Sequence, residues 1–420
     1  MKEVILKRIC LSNWKAKNLD VSFYDGVTTI SAKNEVGKSS LQQAWNWLFT
    51  SYTTPTSTRN SNLYDKRVPL SPETPEASVK AWITIDGTEY TLERIAQPKF
   101  KRPRGEEEWV KDSSDTYTIK IDDFEVTATA FNEWVEDMLC PIDKIAYVLD
   151  GAFFTTLALQ DKKKARAIIE DIVGGCSMAE LSGDYAKIEG KLAKHTPEEL
   201  KEHIAALMRP IKKRMDAIPS IIKSKTFVAE DLEKRYNRDK IHDKVMELSQ
   251  EVAKNADKET ISALVSASMQ LGIAEYAKVE REGIDLLRAE NKGLAETLVE
   301  MEGEMALVES LMEERAEIVG TKINAMLGNC RVQMFNTQVN GAIIPDCIIT
   351  DYDGVNFVAL STSARLRVNL AIQDMFRERY GITTMTWIDE AAVFDESHLP
   401  YPSGQVCYLY AGDSDTLVVG

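Results

Sequence analysis

The feature that most limits how this chain can fold is a change of pattern that occurs twice. Up to about residue 175, short apolar strands such as VTTISA, VKAWITI, YTLERIA and YTIKI alternate with turns and a few helices. After Gly174 and Gly175 glycine and aromatics thin out, charge density rises, and from about 180 to 325 the apolar residues fall at helical spacing. Beyond about 325 strands return in CRVQMF, GAIIPDCIITDYDG and TTMTWIDE, with helix between them and a last strand VCYLY. Each strand-rich end is short for a complete α/β fold. The two are therefore expected to combine into one head, with 1–178 as its N-terminal lobe, 326–420 as its C-terminal lobe and 179–325 as an inserted helical arm.

Within the arm, Leu287, Leu294, Met301 and Val308 recur every seven residues, and Asn291, Leu298, Met305 and Met312 follow each by four. Alternating steps of four and three describe a coiled-coil seam, with Asn291 as a polar core residue of the kind that fixes register. On the outgoing side, Leu200, Ile204, Leu207, Ile211, Met215 and Ile218 form a similar stripe behind Thr196 and Pro197, a plausible cap and first turn. Pro210 and Pro219 are expected to bend or end that helix. The expected form is a short antiparallel arm, with an ordinary helical bundle packed on the head as the alternative. At about 60 to 70 residues per side it would span roughly 100 Å at most.

Six cysteines lie far apart without a CxxC pair, and the four histidines show no ligand spacing. This points to a reduced, cytoplasmic protein without structural zinc, and to an arm without a zinc hook at its tip. The opening MKEVILKRICLSNW alternates charged and apolar residues like an edge strand, and no apolar run approaches membrane-spanning length. A net charge of −15 argues against a surface coated for nucleic acid but leaves room for local basic patches. Candidates are Lys99, Lys101, Arg102 and Arg104, and Lys162, Lys163, Lys164 and Arg166, each of which also suits a solvated turn or helix face.

The chemistry lies at the two ends. GVTTISAKNEVGKSSLQQAWNWLF is a strand, a glycine-containing turn, Gly-Lys-Ser and a helix. Backbone N–H groups of Asn34, Glu35, Val36, Gly37 and Ser40 can wrap a phosphate there, Lys38 can reach the β and γ phosphates, and the Ser39 hydroxyl can ligate magnesium. The spacing fits GxxxxGK[ST] except that Ala32 replaces the first glycine, which should narrow the conformations open to the turn. TTMTWIDE is an apolar strand ending in two acids, where Asp389 would support magnesium and Glu390 would activate the attacking water. Some 30 residues earlier, Ser361, Thr362 and Ser363 precede an amphipathic helix; they cap it, or they offer a phosphate-binding surface to a second molecule's nucleotide.

With these parts in place the chain resembles the SMC and SbcC class of DNA-repair ATPases, and more narrowly the short SbcC-like ATPases of bacteriophages and prophages. LSNWKAKNLDVSF is similar to the family's opening strand and asparagine-aromatic-basic turn, and DKIAYVLDGAFFTTLALQDKKKARAIIEDIVGG to its Q-loop segment and the helix leading into the coil. MDAIPSII, MFNTQVNGAIIPDC and LSTSARLRVNLAI resemble the phage group's Ile-Pro motif, C-terminal strands and variant signature turn. The resemblance implies an ABC-type P-loop head that hydrolyses ATP with Mg²⁺. It also implies a homodimer in which two heads sandwich two nucleotides, DNA as ligand, and a nuclease subunit as partner. By position, Lys38 and Ser39 bind phosphates and metal, Asp389 supports the metal, Glu390 activates water, and Ser361 with Thr362 completes the partner's site. Asn13 and Lys15 are further contacts near the nucleotide.

The chain departs from the family at three supporting positions. LSTS stands where LSGG is usual, Asp150 where a Q-loop glutamine would precede Gly151, and Ala411 or Gly412 where a switch histidine follows the last strand. Asp150 could still serve as an oxygen ligand to magnesium. Slow, DNA-stimulated turnover is the expectation. Two alternatives stay open: an ATP-gated clamp of RecF or SMC type without a nuclease, and a head that binds nucleotide with little turnover.

Overall fold

The computed structural model describes residues 1–102, 108–112, 114–337, 343–395 and 398–420. The chain divides into two compact units, 1–178 with 315–420, and 179–314.

The first unit is an α/β head to which both ends of the chain contribute. In one sheet the strand Val27–Ala32 lies parallel to Val406–Ala411, which lies parallel to Thr386–Ile388, and Val418–Val419 pairs antiparallel on the other edge of Val27–Ala32. Strands from positions nearly 400 residues apart thus share one ladder, with Ala32 opposite Ala411. The strand Val418–Val419, beyond VCYLY, was not expected; two residues carry too little pattern to be read in advance. A second, largely antiparallel sheet runs Ile382–Thr383, Lys2–Trp14, Ala77–Ile85, Thr88–Gln97, Thr116–Ile121, Phe124–Val126, with Lys17–Ser22 also on Lys2–Trp14.

The opening strand is therefore interior, not an edge. Its charged residues do not mark a solvent edge, because Ala77–Ile85 pairs along one side while Ile382–Thr383 and Lys17–Ser22 divide the other. Its register slips between Leu6 and Arg8. The buried Gln405 side chain meets that irregularity, donating to Leu6 O and accepting from Leu6 N, both at 2.8 Å, so a C-terminal residue completes the hydrogen bonding of an N-terminal strand.

The helix Lys38–Thr50 seals the head because Leu41, Ala44, Trp45, Trp47, Leu48 and Phe49 are all buried. Trp47 meets Trp14 with ring centroids 4.9 Å apart. From the other end of the chain, the helix Thr362–Tyr380 packs Phe376 against Tyr147 and Phe154 at 4.9 and 5.4 Å. Gly151 permits this approach, since a Cβ there would sit 1.9 Å from the Asn369 carbonyl oxygen. The helix Lys162–Val173 ends on Gly174, whose φ of 76° is the left-handed conformation a terminating glycine supplies.

The second unit is helical. Pro197–Arg235 carries the expected capping box, with Glu199 N donating to Thr196 Oγ1 and Thr196 N to the Glu199 carboxylate. It runs unbroken through Pro210 and Pro219, which do not end it. The hydrogen bonds they forgo are offset by pairing with the long helix Lys258–Met326, which belongs to this unit up to Glu314. The pairing is antiparallel and carries ion pairs Lys201–Glu309, Arg214–Glu290 and Lys225–Glu280 at 2.7, 2.7 and 2.9 Å. Of the expected seam, Val308 is fully buried and Leu298, Met301, Met305 and Met312 pack around Leu200, Ile204, Met208 and Leu311. Asn291 Oδ1 is buried without a partner. The outgoing helix has 39 residues and so spans only about 58 Å at 1.5 Å per residue, after which Arg238–Lys254 forms a separate helix.

Candidate functional site

The Val27–Ala32 strand delivers the chain to a turn at the mouth of the Lys38–Thr50 helix. Ala32, the one mismatch to the phosphate-loop pattern, is still extended strand and has no positive φ, so alanine narrows nothing there. The left-handed positions are Glu35 at φ 66° and Gly37 at φ 128°. The backbone conformation at Gly37 is what calls for glycine; a Cβ there would also come within 2.8 Å of Leu19 Cδ1 and push that side chain aside. The buried Lys38 amine donates to the carbonyls of Ala32 at 2.6 Å and Lys33 at 2.9 Å, closing the loop on itself and fixing the cation above it.

A cavity of about 720 Å³ opens over this loop. Its walls bring together Lys15, Asn34, Glu35, Gly37, Lys38, Ser39 and Ser40 from one end of the chain with Asp389 and Glu390 from the other. Strand Thr386–Ile388 is fully buried and ends at the half-buried Asp389, whose carboxylate accepts from Glu390 N at 2.9 Å. Glu390 is exposed at φ 57°, a sparsely populated conformation for a residue with a side chain. Ala411 also lines the cavity, leaving space where a histidine was the family expectation.

The segment after the helix supplies walls that the sequence did not reveal: Asn62, Tyr64, Lys66 and Arg67, joined by Lys17. NSNLYDKR has no strand or helix period and reads as a solvated loop. It is held in place by Trp47 Nε1 donating to Asn60 Oδ1 at 2.9 Å and by Lys15 N donating to Leu63 O at 2.8 Å. Burial, with Lys66 nearby, lowers the Lys15 ammonium to about 8; its amine also donates to Gln43.

Other expected residues lie off this wall. Val36 is half-buried outside it, and Asn13 faces an adjoining hollow, with its amide donating to Glu76 O at 3.2 Å. Asp150 accepts from Gln42 Nε2 at 3.1 Å and Ala152 N at 2.8 Å, so the oxygens expected to reach magnesium are engaged behind the phosphate-loop helix; burial raises its pKa. Ser361 caps the helix Thr362–Tyr380, accepting from Ala364 N at 3.3 Å, and Ser361 and Thr362 are exposed. Within one chain Ser361, Thr362 and Ser363 do not line the cavity. Among the basic residues, Lys162 pairs with Asp346 at 2.8 Å and Lys101 with Asp112 at 3.5 Å, while Arg104 lies outside the described residues.

The set suits a magnesium nucleotide on this chain's own features. Five cations, Lys15, Lys17, Lys38, Lys66 and Arg67, stand around a loop of backbone donors. Among the described residues no cluster of three His, Cys, Asp or Glu side chains could cage a metal alone. The wall does offer the Asp389 carboxylate and the Ser39 hydroxyl, ligand types that magnesium commonly takes together with substrate phosphates.

Fold and site define a P-loop nucleotide-binding protein of mixed α/β class with an inserted helical arm. The chain belongs to the AAA domain family, whose profile matches residues 10–316. Asp389 and Glu390 lie beyond that match, so their place in the site rests on geometry. No curated protein sequence matches the chain. Among solved structures it is similar to the Smc head domain with coiled coil and joint from Pyrococcus yayanosii, at 14% identity and TM-score 0.40 over 97% of this chain and 92% of that one. It is also similar to the Smc head domain with an extended coiled coil bound to the C-terminal domain of ScpA from Pyrococcus furiosus, at 12% identity and TM-score 0.40 over 99% and 96%. A third is the recombination mediator RecF bound to ATP, at 15% identity and TM-score 0.36 over 100% and 99%.

Among the described residues no helix is long and apolar enough to cross a membrane.

Proposed function

We propose that this chain binds ATP with Mg²⁺ and hydrolyses it slowly, in a site that two copies complete for each other, and that it couples this cycle to DNA in repair or recombination. The observation that carries the reading is the meeting of Lys38 and Ser39 with Asp389 and Glu390 on one cavity wall. Bound ATP would bring the phosphoanhydride bond to be cleaved, and Mg²⁺ the charge that offsets its phosphates. Lys38, already desolvated on the loop carbonyls, offers its charge to phosphate oxygens. Ser39 and Asp389 would hold the metal, and Glu390 would take the proton of the attacking water.

Dimerisation gives the exposed Ser361 and Thr362 and the half-buried Ser363 a role that their own chain's cavity does not. The hydroxyls and N–H groups of that helix start would face a nucleotide held by the other copy. Slow turnover is supported by Ala411 or Gly412 standing in place of a histidine and by Asp150 being occupied with Gln42. DNA would be held in part by Lys163 and its neighbours, and a nuclease subunit would be the partner in end processing. An ATP-gated clamp without a nuclease is the second reading, favoured by the short outgoing helix of 39 residues.

The test is ATPase activity with and without DNA, combined with sizing in ATP, on wild type and Glu390→Gln. Glu390→Gln should lose most hydrolysis and accumulate as a nucleotide-dependent dimer. A wild type that neither binds ATP nor changes size in it contradicts the proposal.

A further inference from the structure

Behind the phosphate-loop helix lies a second cavity, of about 370 Å³, that shares no residue with the first. Arg94, only 4% exposed, is among the residues that line it. Buried arginines are ordinarily paired with carboxylates, because an uncompensated buried charge costs several kcal/mol. None of the described carboxylates pairs with this one. Its guanidinium donates to Ser51 Oγ and stands over the rings of Trp47 and Phe131 at 5.4 and 5.5 Å, while Nε has no partner at all. Burial, with Arg59 adding repulsion, pulls its pKa down to about 9.

The rest of the wall sharpens the imbalance. Arg59 and Lys164 add two more cations. The one acid among the lining residues, Asp143, is already paired with Lys144 at 2.7 Å. The remaining wall mixes hydroxyl and amide side chains such as Thr156 and Asn132 with apolar ones, among them Phe153 and Leu157. A hollow that combines apolar and aromatic side chains with polar ones and an unpaired buried cation has the mixed lining of a small-ligand site.

We infer that this cavity is a second anion site, separate from the nucleotide site, which takes a small molecule bearing a phosphate or carboxylate on an apolar or aromatic body. The planar guanidinium of Arg94 would receive the anion in fork geometry, and Phe153 and Leu157 would cover the body. Such a ligand supplies the counter-charge that Arg94 lacks, so its binding also raises thermal stability.

Phenyl phosphate, benzoate and inorganic phosphate serve as probes, with affinity read by calorimetry. To silence the nucleotide site the measurements are made on Lys38→Ala. Phenyl phosphate or benzoate should bind this protein more tightly than inorganic phosphate does, and the preferred one of the two identifies the head group. Adding Arg94→Gln should weaken that binding at least tenfold. Should Arg94→Gln fail to fold, Thr156→Trp narrows the same cavity from its wall while leaving Arg94 in place, and it too should weaken binding at least tenfold. No probe binding to Lys38→Ala, or binding that both a folded Arg94→Gln and Thr156→Trp leave unchanged, overturns the assignment.

Discussion

Gly151→Ala separates local preference from tertiary fit. Gly151 has φ −60° at the start of a helix, a position where alanine is locally better than glycine by roughly 0.5–1 kcal/mol. On local grounds the substitution should therefore stabilise. The space says otherwise: the new Cβ would lie 1.9 Å from Asn369 O and must retreat by at least 1.1 Å to reach the 3.0 Å minimum, against backbone that cannot rotate away. That retreat separates the helix Thr362–Tyr380 from the segment it braces. At stake are the bonds from Gln373 Nε2 to Leu149 O at 2.5 Å, from Arg377 Nε to Val148 O at 3.1 Å and from Thr155 Oγ1 to Asn369 Oδ1 at 2.9 Å. With buried neutral bonds worth about 1 kcal/mol each and the charged one about 1.5–3, the expected loss is about 3.5–5 kcal/mol. Denaturant unfolding beside Gly174→Ala provides the scale, since Gly174 has φ 76° and open space, and alanine there should cost only about 1 kcal/mol. A Gly151→Ala protein as stable as Gly174→Ala, or more stable than wild type, refutes the close-approach argument.

Arg377→Met should destabilise the head by about 3 kcal/mol or more in the same unfolding assay, because the buried guanidinium also serves Thr386 Oγ1 at 2.5 Å and Met385 O at 3.2 Å; Arg377→Lys should recover only part, as one ammonium cannot span that fork. Since burial lowers Lys15 to about 8 from its ordinary 10.5, the folded chain sheds a proton that the unfolded chain keeps between those values. Its penalty on stability is full below pH 8 and fades as pH rises towards 10.5, while the cation it offers to phosphates is lost over the same range. ATP affinity of wild type should thus fall as pH rises through about 8, and Lys15→Met should flatten that profile in a titration series. Gly37→Ala, which meets both an unfavourable φ and Leu19, should weaken ATP binding at least tenfold in equilibrium binding while Ala32→Gly, at an extended strand position, leaves it unchanged within twofold.

The mixed α/β class and its helical arm were legible because they rest on periodicity: the change at Gly174 marks a helix end, and the step of four and three around Val308 marks a packed seam. Lys38 and Asp389 could be singled out together because a Gly-Lys-Ser turn between strand and helix opens the chain and an apolar strand running into two acids stands near its other end. Pairing across the strands was not legible. The interior position of Lys2–Trp14 depends on Ile382–Thr383 and Ala77–Ile85, and no local pattern announces which strands meet. Prolines within Pro197–Arg235 misled because tertiary pairing outweighs two lost bonds. The wall formed by Asn62 to Arg67 stayed hidden since its residues are mostly polar and aperiodic, and contacts distant in sequence, such as those of Trp47 and Lys15, place it. Arg94 sits in an ordinary strand pattern, and nothing in sequence marks a cation that folding leaves unpaired.

The shared site is tested most directly by mixing two inactive proteins. Lys38→Ala disables a chain's own phosphate loop, and Thr362→Arg disables what it offers its partner while sparing the Ser361 cap. In a mixed dimer of these chains one site carries both defects and the other carries neither. Each variant alone should show no DNA-stimulated ATPase activity. An equal mixture should regain about a quarter of the wild-type rate, since half the dimers are mixed and each has one intact site of two. A mixture as inactive as its components, or a Thr362→Arg protein that is fully active by itself, contradicts a nucleotide site built from two copies.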